Sequence, residues 1–156
     1  MIACAAKLFI RRSALIEIDE MSIEGSQGGP AHEICGFLVG HVEADHYHVS
    51  FSLGVANSAA SEAPNRYRID AEAYIEAEQL LKLRGLQIVG VFHDHPGADA
   101  EPSQLDRDYF FPGLVYLIVG RPAVGEIEHR AFQRLISDPH VIIEIGIQVI
   151  EDDNPS

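Results

Sequence analysis

The stretch from Leu86 to Asp106, LQIVGVFHDHPGADAEPSQLD, constrains the fold more than any other part of this chain. Between Gly85 and Pro96-Gly97 it is apolar and β-branched, the pattern of a short buried strand. The strand ends in His93-Asp94-His95. Side chains alternate between faces, so the two imidazoles leave one face from α-carbons about 6.6 Å apart and Asp94 leaves the other. Beyond a turn containing Pro96, Gly97 and Pro102, Asp106 falls in the first turn of an expected helix. A chain folding back there could bring a carboxylate to the two imidazoles. Two neutral imidazoles, one carboxylate and an open fourth position are what a catalytic Zn²⁺ site needs, because the open position must hold water.

Simpler roles compete for the same residues. Ser103-x-x-Asp106 is also a helix-start pattern, with Ser103 as N-cap and Asp106 facing the helix dipole. An isolated His-x-His on a strand is weak support for a metal by itself. Spacing, turn residues and an acid elsewhere in the chain strengthen the metal reading.

The run His93-Asp94-His95-Pro96, followed after six residues by Ser103 and then Asp106, resembles the signature of the JAMM (MPN-plus) metalloprotease family: His-x-His-Pro, a spacer, Pro-Ser-x-x-Asp. That family also carries an upstream glutamate, often in Glu-x-Cys-Gly, and Glu33-Ile34-Cys35-Gly36 precedes the apolar run Phe37–Gly40 here. The similarity covers nearly the whole chain. The middle of His-x-His is frequently Ser in the family and is Asp94 in this sequence; since that side chain faces away from the metal, altered tuning rather than lost activity is expected.

At 156 residues the chain has one domain's length, enough for a core without staples, and residues 1–150 are expected to form a single domain followed by a disordered tail, 151–156. The two cysteines, Cys4 and Cys35, form no disulfide framework and suit a reducing compartment. In MIACAAKLFIRR the basic residues follow the apolar run, the reverse of a secretory signal, and no segment approaches transmembrane length. A cytoplasmic protein is expected. A formal charge of −13 disfavours nucleic acid and anionic membranes as partners. Solubility, a basic partner tail or a salty habitat would each account for it, so it carries no functional weight.

Periodicity gives the remaining elements. A first strand is expected over 6–10, then a helix capped by Ser13 and running through Glu24 to stop at Gly25, with Leu15, Ile16, Ile18, Met21 and Ile23 in the core. Cys35–Val42 and Tyr47–Val55 read as a hairpin about a turn at Ala44-Asp45. The polar segment 56–68 either flanks a substrate groove or is a flexible loop. Asp70 is expected to cap a helix ending at Gly85, with Ile69 and Tyr74 as a hydrophobic staple and Leu80, Leu81 and Leu83 buried. After a short helix from Asp106 to Phe110, the apolar run Leu114–Val119 reads as a buried strand beside the motif strand. His129–Leu135 and Val141–Ile150 read as the last two strands. These elements imply an α/β fold, a mixed, curved sheet flanked by helices, and the resemblance implies the same cytidine-deaminase-like architecture.

His46-Tyr47-His48 is a second His-x-His, but no Pro-Ser-x-x-Asp follows it, and exposed polar residues beside a turn explain it better than a metal. Cys35, two residues from Glu33, reads as a small buried hydrophobe; an inhibitory or redox-sensitive metal ligand is the lesser alternative.

The resemblance implies one zinc ion held by His93, His95 and Asp106, with Glu33 as general base beside the metal and Ser103 as oxyanion donor. It implies cleavage of the bond after the C-terminal Gly-Gly of a small ubiquitin-like or sulfur-carrier protein, since compact stand-alone relatives act on such partners. The alternatives are a non-catalytic MPN-type binding module, which lacks ligands that are all present here, and a general zinc peptidase. A non-haem iron oxygenase shares the two-histidine, one-carboxylate set but needs neither Glu33 nor Ser103. A zinc deaminase needs Pro-Cys-x-x-Cys, which is absent from the sequence.

Overall fold

The computed structural model describes residues 6–27 and 31–152. Its elements in chain order are β1 (Lys7–Arg11), α1 (Arg12–Gly25), β2 (Cys35–Glu43), β3 (His46–Val55), α2 (Ala71–Lys82), β4 (Gln87–Pro96), α3 (Gln104–Asp108), β5 (Val115–Arg121), β6 (Glu128–Arg134) and β7 (Ile142–Ile150). The strands lie in the order β1-β3-β2-β4-β5-β6-β7 and close on themselves where β7 pairs with β1. The β1–β3, β1–β7 and β4–β5 pairs are parallel and the others antiparallel. The architecture is therefore a closed, seven-stranded mixed barrel with few helices, and the expected α/β sheet flanked by helices is corrected by it. Periodicity located the strands; it carried no sign that the first and last would pair.

Local chemistry shows how the sheet curls far enough to close. Ala44 and Asp45 both take positive φ, 50° and 64°, the left-handed pair of a tight hairpin turn whose twist matches its strands. The register of β2 shifts against β3 between Val39 and Gly40 and against β4 between Leu38 and Val39, and such bulges sharpen twist. Gly40 and Gly90 lie where the backbones approach most closely: a Cβ would overlap the carbonyl oxygen of His48 at the first and of Val115 at the second.

Strand β4 has apolar neighbours on both faces, which explains its unbroken apolar sequence. Val89 and Phe92 belong to a buried cluster with Leu8, Ile10, Leu38, Leu117 and the α1 residues Ala14 and Ile18. Ile88 and Val91 belong to a second, with Phe37, Tyr116, Ile118 and the α2 residues Ala77 and Leu81. Alternation carries this division to the end of the strand. His93 and His95 continue the face of Val91, and Asp94 continues the face of Phe92, towards α1.

The helices differ from expectation in instructive ways. Ser13 lies inside α1, not at its cap; Arg11 holds the N-cap position without a side-chain bond. Capping comes from the other end of the chain, since the Ser13 amide donates to Asp152 Oδ1 at 3.3 Å and Arg12 Nε donates to Glu151 at 2.8 Å. Glu151 and Asp152 make these contacts from within the expected tail; 153–156, like Cys4, lie outside the described residues. The buried stripe of α1 is Ala14, Ile18 and Ser22, leaving Ile16 and Ile23 exposed. In α2, Asp70 sits at the N-cap but makes no side-chain capping bond, and the helix ends at Lys82, before the left-handed Gly85 (φ 69°). Leu81 is buried, whereas Leu80 and Leu83 are exposed. The α2 stripe is Ala77 and Leu81, and Leu80 falls outside it.

Candidate functional site

The end of β4 and the start of α3 meet as the spacing implied. His93 Nε2 and His95 Nε2 are 3.2 Å apart, and Asp106 Oδ1 and Oδ2 lie 3.2 Å and 3.1 Å from them respectively. Donor atoms about 2.0 Å from a tetrahedral zinc are separated by roughly 3.3 Å, and each imidazole nitrogen lies near that distance from the other and from one Asp106 oxygen, a different oxygen for each. His95 Nδ1 lies 2.9 Å from the Asp99 carbonyl oxygen. An Nδ1–H donating there leaves Nε2 turned to the cluster, the nitrogen that would ligate an ion once it gives up the proton it shares with Asp106. The His93 ring is fixed by stacking on Tyr67, with centroids 4.3 Å apart. The donor set fits zinc.

Charge couples these groups. Burial lowers the His93 imidazole against the pull of Asp106. Burial also opposes a charge on His95, but hydrogen bonding to Asp106 and to the Asp99 carbonyl outweighs it and raises the group to about 9. Burial would raise Asp106, yet its contacts with both imidazoles hold it well below the ordinary carboxylate range. Such a carboxylate stays ionised and available to a cation.

Asp106 is held by a complete capping box. The Asp106 amide donates to Ser103 Oγ at 3.0 Å, and the Ser103 amide donates to Asp106 Oδ2 at 2.9 Å. The capping role of Ser103 is therefore real. It does not compete with an oxyanion role, because the cap uses a lone pair and leaves the O–H proton free to donate.

Glu33 stands just before β2, is only 4% exposed, and its Oε2 has no hydrogen-bond partner among the described residues. Burial foremost, with Asp106 and Asp94 adding to it against His95, raises its carboxyl to about 8. Glu33, His95 and Ser103 line one polar cleft of about 450 Å³, together with Asn65 and Asp99. Asp106 and Tyr67 face a second, larger groove of about 790 Å³, lined by Tyr74, Ile75, Tyr109 and Phe111 among others. All five sequence-derived residues thus converge, between an acidic cleft and an apolar groove.

Cys35 and the second His-x-His stay outside this group, as expected. Cys35 is buried and donates to the Val55 carbonyl at 3.6 Å; burial, aided by Glu33 and Asp94, pushes its thiol up to about 12, so it remains a thiol and packs as a small hydrophobe. His48 groups with His41 and Glu43 rather than with His46. The rings of His41 and His48 are stacked with planes 4° apart, so their lone pairs run side by side instead of converging. Tyr67 and Asn57 were missed by sequence reasoning. An aromatic inside the polar segment 56–68 was the available signal for the first; nothing in the sequence distinguished the second.

A profile of prokaryotic homologues of the JAB domain matches residues 23–135, which contain all five residues of the site. A protein named desampylase from Haloferax volcanii is 34% identical over 135 residues, 84% of this chain and 95% of that protein. The solution structure of a protein from Desulfitobacterium hafniense shares the fold with a TM-score of 0.79, at 23% identity over 93% of this chain and 94% of that one. A second solution structure, from Salinibacter ruber, has a TM-score of 0.59 and 26% identity over 92% of this chain and 91% of its own. Spanned by the family's profile over most of its length, the chain belongs to the prokaryotic JAB-domain family, the branch of JAMM (MPN-plus) proteins that its His-x-His and Ser-x-x-Asp motifs resemble.

Proposed function

We propose that this hydrolase is a zinc-dependent isopeptidase that cuts after the C-terminal Gly-Gly of a small ubiquitin-like or sulfur-carrier protein. The observation that carries the proposal is the convergence of His93, His95 and Asp106 at 3.1–3.2 Å beside a cleft that also holds Glu33 and Ser103. The family and the relative named desampylase support the same class of reaction.

His93, His95 and Asp106 would hold the ion. Zinc bound there supplies Lewis-acid chemistry, bringing the pKa of a water to roughly 7 and polarising the scissile carbonyl. Glu33, poorly solvated and without a partner for one oxygen, accepts the proton of the attacking water and passes it to the leaving amine. Ser103, fixed by its cap, directs its free O–H at the developing oxyanion. The apolar groove receives the ubiquitin-like partner and the polar cleft the amine, and a tail ending in glycines is the one that reaches the ligands between them without side-chain clash. No helix among the described residues is long and apolar enough to cross a membrane, and a cytoplasmic enzyme is the reading that goes with the reduced cysteine.

The test is direct. Reconstituted protein should contain about one equivalent of zinc, lost in His95→Ala and Asp106→Ala. It should cleave Gly-Gly conjugates of a ubiquitin-like protein to lysine or cysteine in a zinc-dependent way, and replacing the last glycine by valine should block cleavage. Rapid cutting of unstructured peptides with every such conjugate left intact would make it a general zinc peptidase.

A further inference from the structure

We propose that Asp94 and Asn57 are positioning residues that clamp a single peptide unit, the one joining Glu33 to Ile34, and thereby aim the Glu33 carboxylate. The inference rests on the reading of Glu33 as general base. The N–H of that unit, on Ile34, donates to Asp94 Oδ1 at 2.8 Å, and its C=O, on Glu33, accepts from Asn57 Nδ2 at 2.8 Å. Both ends of one peptide plane are therefore held by side chains, and its orientation fixes the direction in which the Glu33 side chain leaves the backbone.

The clamp is needed where it stands. Residues 31–34 have no regular structure and β2 begins only at Cys35, so no strand ladder orients Glu33. Asp94 supplies the missing anchor from β4. It is fully buried, its Oδ2 accepts from Ser22 Oγ at 2.7 Å, the Arg121 guanidinium lies 4.0 Å away, and its own amide donates to the Ile34 carbonyl at 3.3 Å. Neither metal geometry nor substrate contact explains an acid there, since it leaves the strand on the face opposite His93 and His95. Strand alternation instead ties base and ligands to one rigid reference: residues 93 and 95 face the metal, and residue 94 holds the base. Asn57 is equally committed. Its Oδ1 accepts from the amides of Ala59 (2.9 Å) and Arg68 (3.0 Å), and its Nδ2 donates also to the Arg66 carbonyl (3.1 Å), so the amide makes all four of its bonds. The same side chain that folds the 56–68 segment, and with it Tyr67 over His93, grips Glu33.

The experiment is a double-mutant cycle on cleavage of a Gly-Gly–lysine isopeptide of a ubiquitin-like protein, combined with amide exchange at Ile34 in the metal-free protein. Asp94→Ala should lower kcat by about 10²-fold, the effect of a misplacement near 1 Å, with KM nearly unchanged and one zinc retained. Exchange at Ile34 should accelerate at least tenfold. Asp94→Asn keeps an acceptor for Ile34 and should restore both readings to within about tenfold of the parent. In a Glu33→Gln background, adding Asp94→Ala should cost nothing further, because its effect passes through Glu33. An equal loss in that background, or full activity in Asp94→Ala despite faster Ile34 exchange, would overturn the proposal. Full turnover in Glu33→Gln alone would instead defeat the base assignment, a different failure read from a different variant. Should Asp94→Ala not fold, Asp94→Ser and Asn57→Ser take its place with the same expectations.

Discussion

Glu33 shows how one side chain can set the pH dependence of the metal-free protein. Its folded carboxyl titrates near 8 because burial penalises the charge, against an ordinary value of 4.5. The folded state therefore holds a proton that the unfolded state has released, and stability falls as pH rises between those two values. Glu33→Gln removes that loss. In chelator, the variant should gain stability over the parent on going from pH 5 to pH 8, by roughly 2–4 kcal/mol, read from denaturant unfolding at the two values. Equal pH dependence in both proteins would place the proton elsewhere. At this scale the sequence was most informative, because strand alternation and one short turn bring His93, His95 and Asp106 together. What it could not show was the buried stripe of α1: Ser22, the polar member of that stripe, is buried to bond Asp94 across the fold, so the apolar pattern pointed to Ile16 and Ile23 instead.

The short helix α3 is capped by Ser103, and substitutions can separate that cap from the oxyanion role proposed for the same hydroxyl. Glycine is nearly as good an N-cap as serine while alanine costs about 1 kcal/mol. Ser103→Ala should therefore lower the melting temperature and Ser103→Gly should lower it much less, while both lose on the order of 10²–10³ in kcat if the hydroxyl serves the oxyanion. Near-parental kcat in Ser103→Gly would leave only the cap. The elements themselves were legible: the hairpin turn at Ala44-Asp45, the motif strand and the buried run beside it fall where periodicity put them. The helix ends were less so. Ser13 and Asp70 are good capping residues by type, yet the amide of Ser13 is taken by Asp152, from 139 residues away, and Asp70 makes no side-chain bond. Local preference gave way there to tertiary contacts.

For the whole molecule, closure decides what the site can tolerate. β1 lies between β3 and β7, and its residues Leu8 and Ile10 are fully buried, while the proposed zinc ligands sit on β4 and α3, away from that seam. Ile10→Ala should cost about 2–5 kcal/mol and speed amide exchange in β1 and β7 together, leaving about one zinc equivalent bound and the exchange of β4 little changed. Loss of zinc in that variant would mean that the barrel opens as one unit. Closure was the part least visible in the sequence, since a parallel pairing between residues 7–11 and 146–150 depends on no turn and no local pattern. The expected flanked sheet and the observed barrel share nearly every strand and differ at that seam. The seam also orders events on the ribosome. The proposed ligands and base and the α3 cap are all made by residue 106, whereas the free side of β1 waits for its partners on β7, about 140 residues later, or roughly 7–28 s at ordinary rates of synthesis. The nascent chain can thus bring its proposed catalytic groups together before its outer wall exists, and through that interval β1 presents an open edge for pairing with another chain.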